Sequence, residues 1–162
     1  MAFPQLIEED MNFFDLVLRD VVKKSEAMLA MIVEKAGYLI HQSGATESVD
    51  TVTLATLGSN AFNATAFMAQ LVNEHNFASM YQQGETYSTL ILNVDEHLLL
   101  VLVFGTQQTV GSMKYYAAPV VKQIAEQLRV AVDRGDMGLD LCDMNPEDVQ
   151  SLFRRDAAPA GA

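Results

Sequence analysis

The stretch TVTLATLGSNAFNATAFMAQLVN, residues 51–73, contains no charged side chain and lies between Asp50 and Glu74. As a helix it would be long enough to cross a lipid bilayer. However, asparagine, glutamine, serine and threonine recur along it, and these polar side chains are costly to place in hydrocarbon. We therefore expect no membrane insertion, and the missing charge needs another explanation.

The side chains of this segment predict an amphipathic helix from residue 51 to about residue 75, capped by Asp50. Placing its residues at intervals of 100° predicts one face that packs in the core. That core face comprises Leu54, Leu57, Gly58, Ala61, Ala64, Thr65, Met68, Leu71 and Val72. The other face holds Ala55, Thr56, Ser59, Phe62, Asn63, Ala66, Gln70 and Asn73. Because interfaces are depleted in charge and enriched in aromatic residues, we predict an interaction surface there, with an unusually uncharged solvent face as the alternative.

The residues before this helix predict one helix and one hairpin. Residues 4–24 have helical spacing, and Pro4 suits the first helical position. Residues 28–33 and 38–42 read as two strands joined by a short turn, in which Gly37 can adopt a positive φ.

The residues after the uncharged helix predict three strands and a final helix. The strands cover residues 77–82, 86–94 and 98–104, and the helix runs from about residue 111 to residue 133. The third strand, within HLLLVLVFG, shows no alternation of polar and apolar residues, so we expect it to be central and covered on both faces. The first strand is short, and we expect it at an edge that can pair with another chain.

The predicted order is therefore α-ββ-α-βββ-α, an α+β fold with a five-stranded antiparallel sheet flanked by helices. We expect one domain over residues 1–133. Residues 134–162 are predicted to form a linker and C-terminal tail, with a short amphipathic helix at residues 145–155.

Charge excludes two classes of partner. The 162-residue chain has a net charge of -11, and no lysine or arginine lies between Lys35 and Lys114. Nucleic acids and anionic membrane surfaces both require cations, so neither is an expected partner. The single cysteine, Cys142, cannot form an internal disulfide, and the N-terminus lacks the basic region of a secretory signal. We expect a cytoplasmic location.

The residues that usually carry chemistry are scattered. His41, His75 and His97 lie far apart in sequence, and no pair has metal-ligand spacing. The sequence GTQQTVG lacks the Gly-Lys-Ser/Thr ending of a phosphate-binding loop. Cys142 lies near Asp140 and Asp143, whose charges oppose a thiolate. We expect neither catalytic residues nor a cofactor or metal.

Three segments together resemble the roadblock family, also called the dynein light chain seven family. They are the hairpin MIVEKAGYLIHQSG, the uncharged helix, and HLLLVLVFGTQQTVGSMKYYAAPVVKQIAEQL, and they cover roughly residues 10–132. Within that family, DTVTLATL at residues 50–57 and MNPEDVQSLF at residues 144–153 are similar to the MglB group of bacterial regulators of Ras-like GTPases.

The resemblance implies a homodimer that binds one small Ras-like (MglA-type) GTPase and stimulates GTP hydrolysis without an arginine finger, in cell polarity or gliding motility. Nucleotide exchange stays open as a second activity. The implied dimer interface is the edge strand Phe77, Ala78, Ser79, Met80, Tyr81 and Gln82. The implied GTPase-binding residues are Thr56, Ser59, Phe62, Asn63, Ala66, Phe67 and Gln70. A further contact from the tail would use Val149, Leu152 and Phe153.

Two other functions remain open at this point. Roadblock proteins also act as scaffolds in larger complexes, without any effect on GTP turnover. A small-molecule sensor is the third possibility, and an internal cavity lined by Met28, Met31 and Met68 would support it.

Overall fold

The protein forms three helices and one antiparallel sheet within residues 3–136, the part of the chain that the computed structural model describes. The helices are α1 (Glu8–Ser25), α2 (Thr51–Leu71) and α3 (Val110–Asp136), and a short 3-10 helix covers Thr46–Ser48. The strands are β1 (Leu29–Glu34), β2 (Leu39–Gly44), β3 (Ser79–Gln83), β4 (Tyr87–Asn93) and β5 (Leu98–Gly105). The predicted order and the α+β class are confirmed. The predicted helix at residues 145–155 lies outside the described residues.

The strand β5 is the centre of the sheet, whose order is β2-β1-β5-β4-β3. Each of its residues is buried, because helices cover both faces of the sheet. Side chains such as Leu100 and Leu102 pack with α1 and α3 on one face. Leu99 and Val101 pack with α2 on the other face. The prediction that this strand is central and covered on both sides is therefore confirmed.

The helix α1 begins at Glu8 rather than at Pro4, so the predicted start was four residues too early. The cause is Asp10, whose carboxylate accepts a hydrogen bond of 2.9 Å from the backbone N–H of Ile7. This bond gives a partner to one of the backbone N–H groups that the start of a helix leaves unpaired. The side chain of Pro4 has no acceptor and could not provide such a bond.

The carboxylate of Asp10 also fixes α1 against α3. Although fully buried, it accepts hydrogen bonds from Gln127 at 2.7 Å and from both terminal nitrogens of Arg134 at 2.9 and 3.0 Å. Because Asp10 lies in the first turn of α1 and Arg134 in the last turn of α3, the two helices run antiparallel. The guanidinium of Arg134 is the main cause that lowers the pKa of Asp10 to about 2.

Two turn and cap predictions are confirmed around α2. Gly37 has φ of +105°, and the carboxylate of Asp50 accepts from the backbone N–H of Thr53 at 3.1 Å. The helix ends at Leu71, four residues before the predicted end. Asn73 adopts φ of +59°, a left-handed conformation that asparagine tolerates and that stops the helix.

Candidate functional site

The helix α2 contacts the sheet through small side chains grouped around one phenylalanine. Gly58 lies so close to β4 that an added Cβ would be 3.3 Å from Cδ1 of Ile91. This close approach explains why small residues occupy the inner face. The buried residues of α2 are Thr51, Ala55, Gly58, Ser59, Phe62, Thr65 and Ala69.

The predicted assignment of the two faces of α2 was therefore wrong in several places. Ser59 and Phe62, predicted as GTPase contacts, are buried in the core of this chain. Leu57, Met68, Leu71 and Val72, predicted in the core, are between 58% and 85% exposed. Both faces are uncharged, so the prediction took the side with more leucine, methionine and valine as the core face, whereas the close approach of helix and sheet selects small residues.

Two other predicted contact residues fasten α2 to the β1–β2 turn. The side-chain amide of Asn63 donates to the carbonyl of Lys35 at 2.8 Å. The hydroxyl of Thr56 lies 3.2 Å from the carbonyl of Gly37 and 3.2 Å from that of Val52. Asn63 is half-buried and Thr56 is exposed. Both residues therefore bind the β1–β2 turn from a position beside the exposed side of α2.

The remaining predicted contact residues differ in exposure. Phe67 is 71% exposed and Gln70 is exposed, whereas Ala66 is half-buried. The tail residues Val149, Leu152 and Phe153 lie outside the described residues.

The outward side of α2 is a large apolar surface, which we call the outer α2 surface. Its members are the exposed large hydrophobic residues of this helix and its C-cap, namely Val52, Leu57, Phe67, Met68, Leu71 and Val72. No charged side chain interrupts it from residue 51 to residue 73. Large exposed apolar side chains with no charged residue among them are typical of a contact with another protein.

A groove runs between α2 and the β3 side of the sheet, next to the outer α2 surface. It has a volume of about 190 Å³. Leu54, Leu57 and Ala61 form its helical wall, and Gln82, Thr89 and Ile91 line it from the sheet. The sheet beyond β5 is therefore only partly covered by α2.

The strand β3 forms one edge of the sheet, as predicted, and within residues 3–136 it pairs only with β4. It begins at Ser79, so Phe77 and Ala78 of the predicted strand precede it, although the Ala78 carbonyl still accepts from the Asn93 N–H at 2.9 Å. Tyr81 stacks on Phe104 with ring centroids 6.2 Å apart. Among residues 3–136, no strand pairs with the other edge of β3, whose backbone donors and acceptors could pair with another chain.

Few charged side chains lie near this surface, and Lys35 is held by a hydrogen bond within the chain. The burial of Lys35 lowers the pKa of its ammonium group, which donates to the carbonyl of Asp95 at 2.5 Å.

Within the described residues, no group of histidine, cysteine, aspartate or glutamate side chains could hold a metal ion. None of the described helices combines the length and hydrophobicity needed to cross a membrane.

Comparison with known proteins identifies the family. Residues 13–104 match the Roadblock/LC7 domain, which is more than half of the chain. The chain belongs to the Roadblock/LC7 family. This family resemblance, expected from the sequence, is thus confirmed, and the Roadblock/LC7 fold is regulatory or adaptor in type rather than catalytic.

Solved structures of MglB proteins are similar to this Roadblock/LC7 chain. MglB from Myxococcus xanthus is 23% identical, with a TM-score of 0.73 over 78% of this chain and 96% of that one. The gliding protein MglB from Thermus thermophilus is 24% identical, with a TM-score of 0.73 over 80% and 98%. An MglB with a tetrameric arrangement is 25% identical, with a TM-score of 0.75 over 81% and 98%. Among curated proteins, no sequence matches this chain.

The third function considered from the sequence loses its support. Met31 is fully buried between α2 and the sheet, whereas Met68 is 58% exposed on the outer α2 surface. The three methionines therefore do not line one internal cavity, and the ligand-sensor hypothesis is not favoured.

Proposed function

We propose that this chain is a non-enzymatic, homodimeric regulator that binds a small Ras-like GTPase of the MglA type and stimulates its GTP hydrolysis. The observation that carries the proposal is the outer α2 surface, because an uncharged apolar patch on a chain of net charge -11 is costly to leave in water. The similarity in fold to MglB structures supports a regulatory role. The class of partner is what the resemblance of the sequence to the MglB group implies.

The dimer contact would involve the free edge of β3 and the groove beside α2. If two copies pair through Phe77, Ala78 and Ser79–Gln83 as antiparallel edge strands, they form one continuous sheet. The two α2 helices then lie side by side, and Leu57 of each copy packs at the groove of the other. This arrangement covers part of the outer α2 surface and leaves Phe67 and Leu71 facing outward.

The GTPase would dock across the outward part of both α2 helices. Phe67, Gln70 and Leu71 supply its contacts, and Ala66, Thr56 and Asn63 border them. The resemblance to the MglB group implies that the regulator would act without an arginine finger, by positioning the catalytic groups of the GTPase itself. Cell polarity or gliding motility is the proposed cellular context.

The dimer is tested by the molar mass of the full chain in light scattering after gel filtration. We expect a dimer for the wild type and a monomer for Leu57→Asp. Leu16→Asp is the matched control, because Leu16 is 68% exposed on α1, whereas Leu57 is 62% exposed. A monomeric wild type, or equal loss in both variants, would contradict the proposed interface.

The regulatory activity is tested by phosphate release from the MglA-like GTPase of the same genome, with exchange of a fluorescent nucleotide measured beside it. We expect faster hydrolysis with the wild type and a loss of that effect with Phe67→Arg, which should stay dimeric. Binding that is equal in the GTP and GDP states, with hydrolysis unchanged, would replace this proposal with the scaffold function.

A further inference from the structure

A second concave surface lies on the opposite face of the molecule, between α1 and α3. This α1–α3 groove has a volume of about 740 Å³. Val21, Tyr116 and Val120 line its apolar part, and Lys24 and Lys122 lie at its border. The sheet separates it from the outer α2 surface, so it is independent of the proposed GTPase and dimer contacts.

The groove arises from short side chains on the exposed face of α3. Ala118 and Pro119 lie between Tyr115 and Lys122, and their small side chains leave the space open. Proline has no N–H group, so Pro119 cannot donate to the carbonyl of Tyr115 within the helix. Tyr115 and Tyr116 pack edge to face, with ring centroids 5.2 Å apart, and form an aromatic wall.

We propose that residues 145–155 of the same chain dock in this groove. Their sequence, NPEDVQSLFRR, places Val149, Leu152 and Phe153 at helical spacing, so that one apolar side could face Val21 and Tyr116. Glu147 and Asp148 would then lie near the two lysines at the border of the groove.

The first turn of the proposed docking segment is complementary in charge to the groove. Residues 137–150 contain Asp140, Asp143, Glu147 and Asp148 and no lysine or arginine, and the cations of the segment, Arg154 and Arg155, lie at its other end. The charged side chains that line the groove are two cations, Lys24 and Lys122, and one carboxylate, Asp20. Lys24 already pairs with Asp20 at 2.7 Å, but both side chains are more than half exposed, so this pair yields readily to another carboxylate.

The length of the tail permits this return. Because α1 and α3 run antiparallel, the groove lies toward the N-terminal half of α3, and the tail leaves from the other end at Asp136. From Asp136 back to Pro119, the helix rises about 25 Å, at about 1.5 Å per residue. The eight residues from 137 to 144 can span up to about 26 Å when extended, at about 3.3 Å each, and residues 145–148 add about 6 Å as a helical turn. Val149 can therefore reach the groove of its own chain.

A tail bound in this groove is withheld from other partners. If residues 149–153 also contact the GTPase, a consequence that rests on the proposed function, the groove competes with the GTPase for the tail. The docking itself does not depend on any GTPase, and the test below contains none.

Paramagnetic broadening in the full chain tests the docking directly. A nitroxide is attached to Ser151→Cys in a Cys142→Ser background, and amide signals of the isotope-labelled protein are recorded with the nitroxide oxidised and reduced. We expect the signals of Val21 and Val120 to broaden, whereas those of Thr56 and Asn63, on the other face, should not. Absence of broadening at the groove, or broadening on α2 instead, would overturn the proposal.

Charge reversal tests whether the tail binds the groove through Lys24 and Lys122 or is only near it on average. Lys24→Glu with Lys122→Glu should abolish the broadening, whereas Lys23→Glu with Lys114→Glu, which changes the charge equally at exposed positions outside the groove lining, should preserve it. Adding Glu147→Lys and Asp148→Lys to the first pair should restore it. Equal effects of both pairs, or no restoration, would refute the assigned contacts.

A mixing experiment decides whether the tail docks on its own chain. Nitroxide-bearing chains without isotope are mixed with isotope-labelled chains that carry no nitroxide. We expect no broadening at Val21 and Val120 in this mixture. Broadening there would show that the tail docks on another copy and would overturn the intramolecular assignment.

Discussion

Asp10 accepts hydrogen bonds from both terminal nitrogens of Arg134, at 2.9 and 3.0 Å, and thereby joins the start of α1 to the end of α3. The two residues are 124 positions apart in sequence. The carboxylate has no exposure to solvent, while the guanidinium is 35% exposed. The carboxylate of Asp10 also accepts hydrogen bonds from the backbone N–H of Ile7 and the side-chain amide of Gln127. These donors, together with Arg134, stabilise its buried negative charge.

Asp10→Asn should lower the free energy of unfolding by about 3 kcal/mol, because it leaves Arg134 without its buried partner. Asp20→Asn is the matched control, since it breaks an ion pair with Lys24 in which both side chains are more than half exposed. That change should cost about 0.5 kcal/mol or less. Urea unfolding of the two variants measures the difference, and equal costs would contradict the role given to Asp10.

Acid should remove the contribution of Asp10 to stability. Its folded pKa is lowered from 3.8 to about 2, so the stabilisation is present above the unfolded value and is lost as the pH falls through the folded value. We expect a loss of about 2 kcal/mol between about pH 4 and about pH 2. Other carboxylates titrate in both proteins, so the measurement is the difference between wild type and Asp10→Asn. A difference that does not change with pH would contradict the assignment.

Truncation of Phe62 should destabilise the fold far more than truncation of Phe67, although both residues belong to α2. Phe62 is 2% exposed against the sheet, so Phe62→Ala should cost about 3–5 kcal/mol of folding stability. Phe67 is 71% exposed, so Phe67→Ala should change stability by about 0.5 kcal/mol or less. Thermal and urea unfolding measure both values. A larger effect at Phe67 would mean that the helix presents its other face to the core.

Asn63→Ala should loosen the β1–β2 turn, because it removes the hydrogen bond to the Lys35 carbonyl. The expected cost is about 1 kcal/mol relative to Asn60→Ala, the same substitution at an exposed position of the same helix. The change in helix propensity is common to both variants, so their difference isolates the contact with the turn. Amide hydrogen exchange should show faster exchange at Gly37 only in Asn63→Ala.

The sequence was sufficient to predict the order of the elements and the position of β5. Turn residues such as Gly37 and the cap at Asp50 are local signals. The unbroken apolar run of β5 is typical of a central strand that is covered on both faces. The start of α1 was predicted wrongly because Pro4 was taken as the first helical residue, whereas the carboxylate of Asp10 accepts from the backbone N–H of Ile7 three residues earlier. The pairing of Asp10 with Arg134 is long-range and leaves no local pattern.

The candidate surface was predicted less well than the fold. The uncharged character of α2 correctly indicated a helix without an ordinary solvent face, but periodicity could not distinguish which side faces the sheet. A phenylalanine such as Phe62 could face either the sheet or a partner protein. The close position of Gly58 against Ile91 decides which side of α2 faces the sheet. That distance depends on how closely the helix approaches β4, which is a property of the assembled sheet.

The central position of β5 also constrains how the chain can fold during its synthesis. β1 and β2 are the first strands to be made, but β1 pairs with β5 along its other edge, from Leu29 against Val103 to Glu34 against Leu98. Until residue 105 has left the ribosome, the N-terminal hairpin therefore exposes one long unpaired edge with the apolar side chains of β1. We expect folding to be slow and to be completed late in translation, because the sheet closes through contacts between residues distant in sequence.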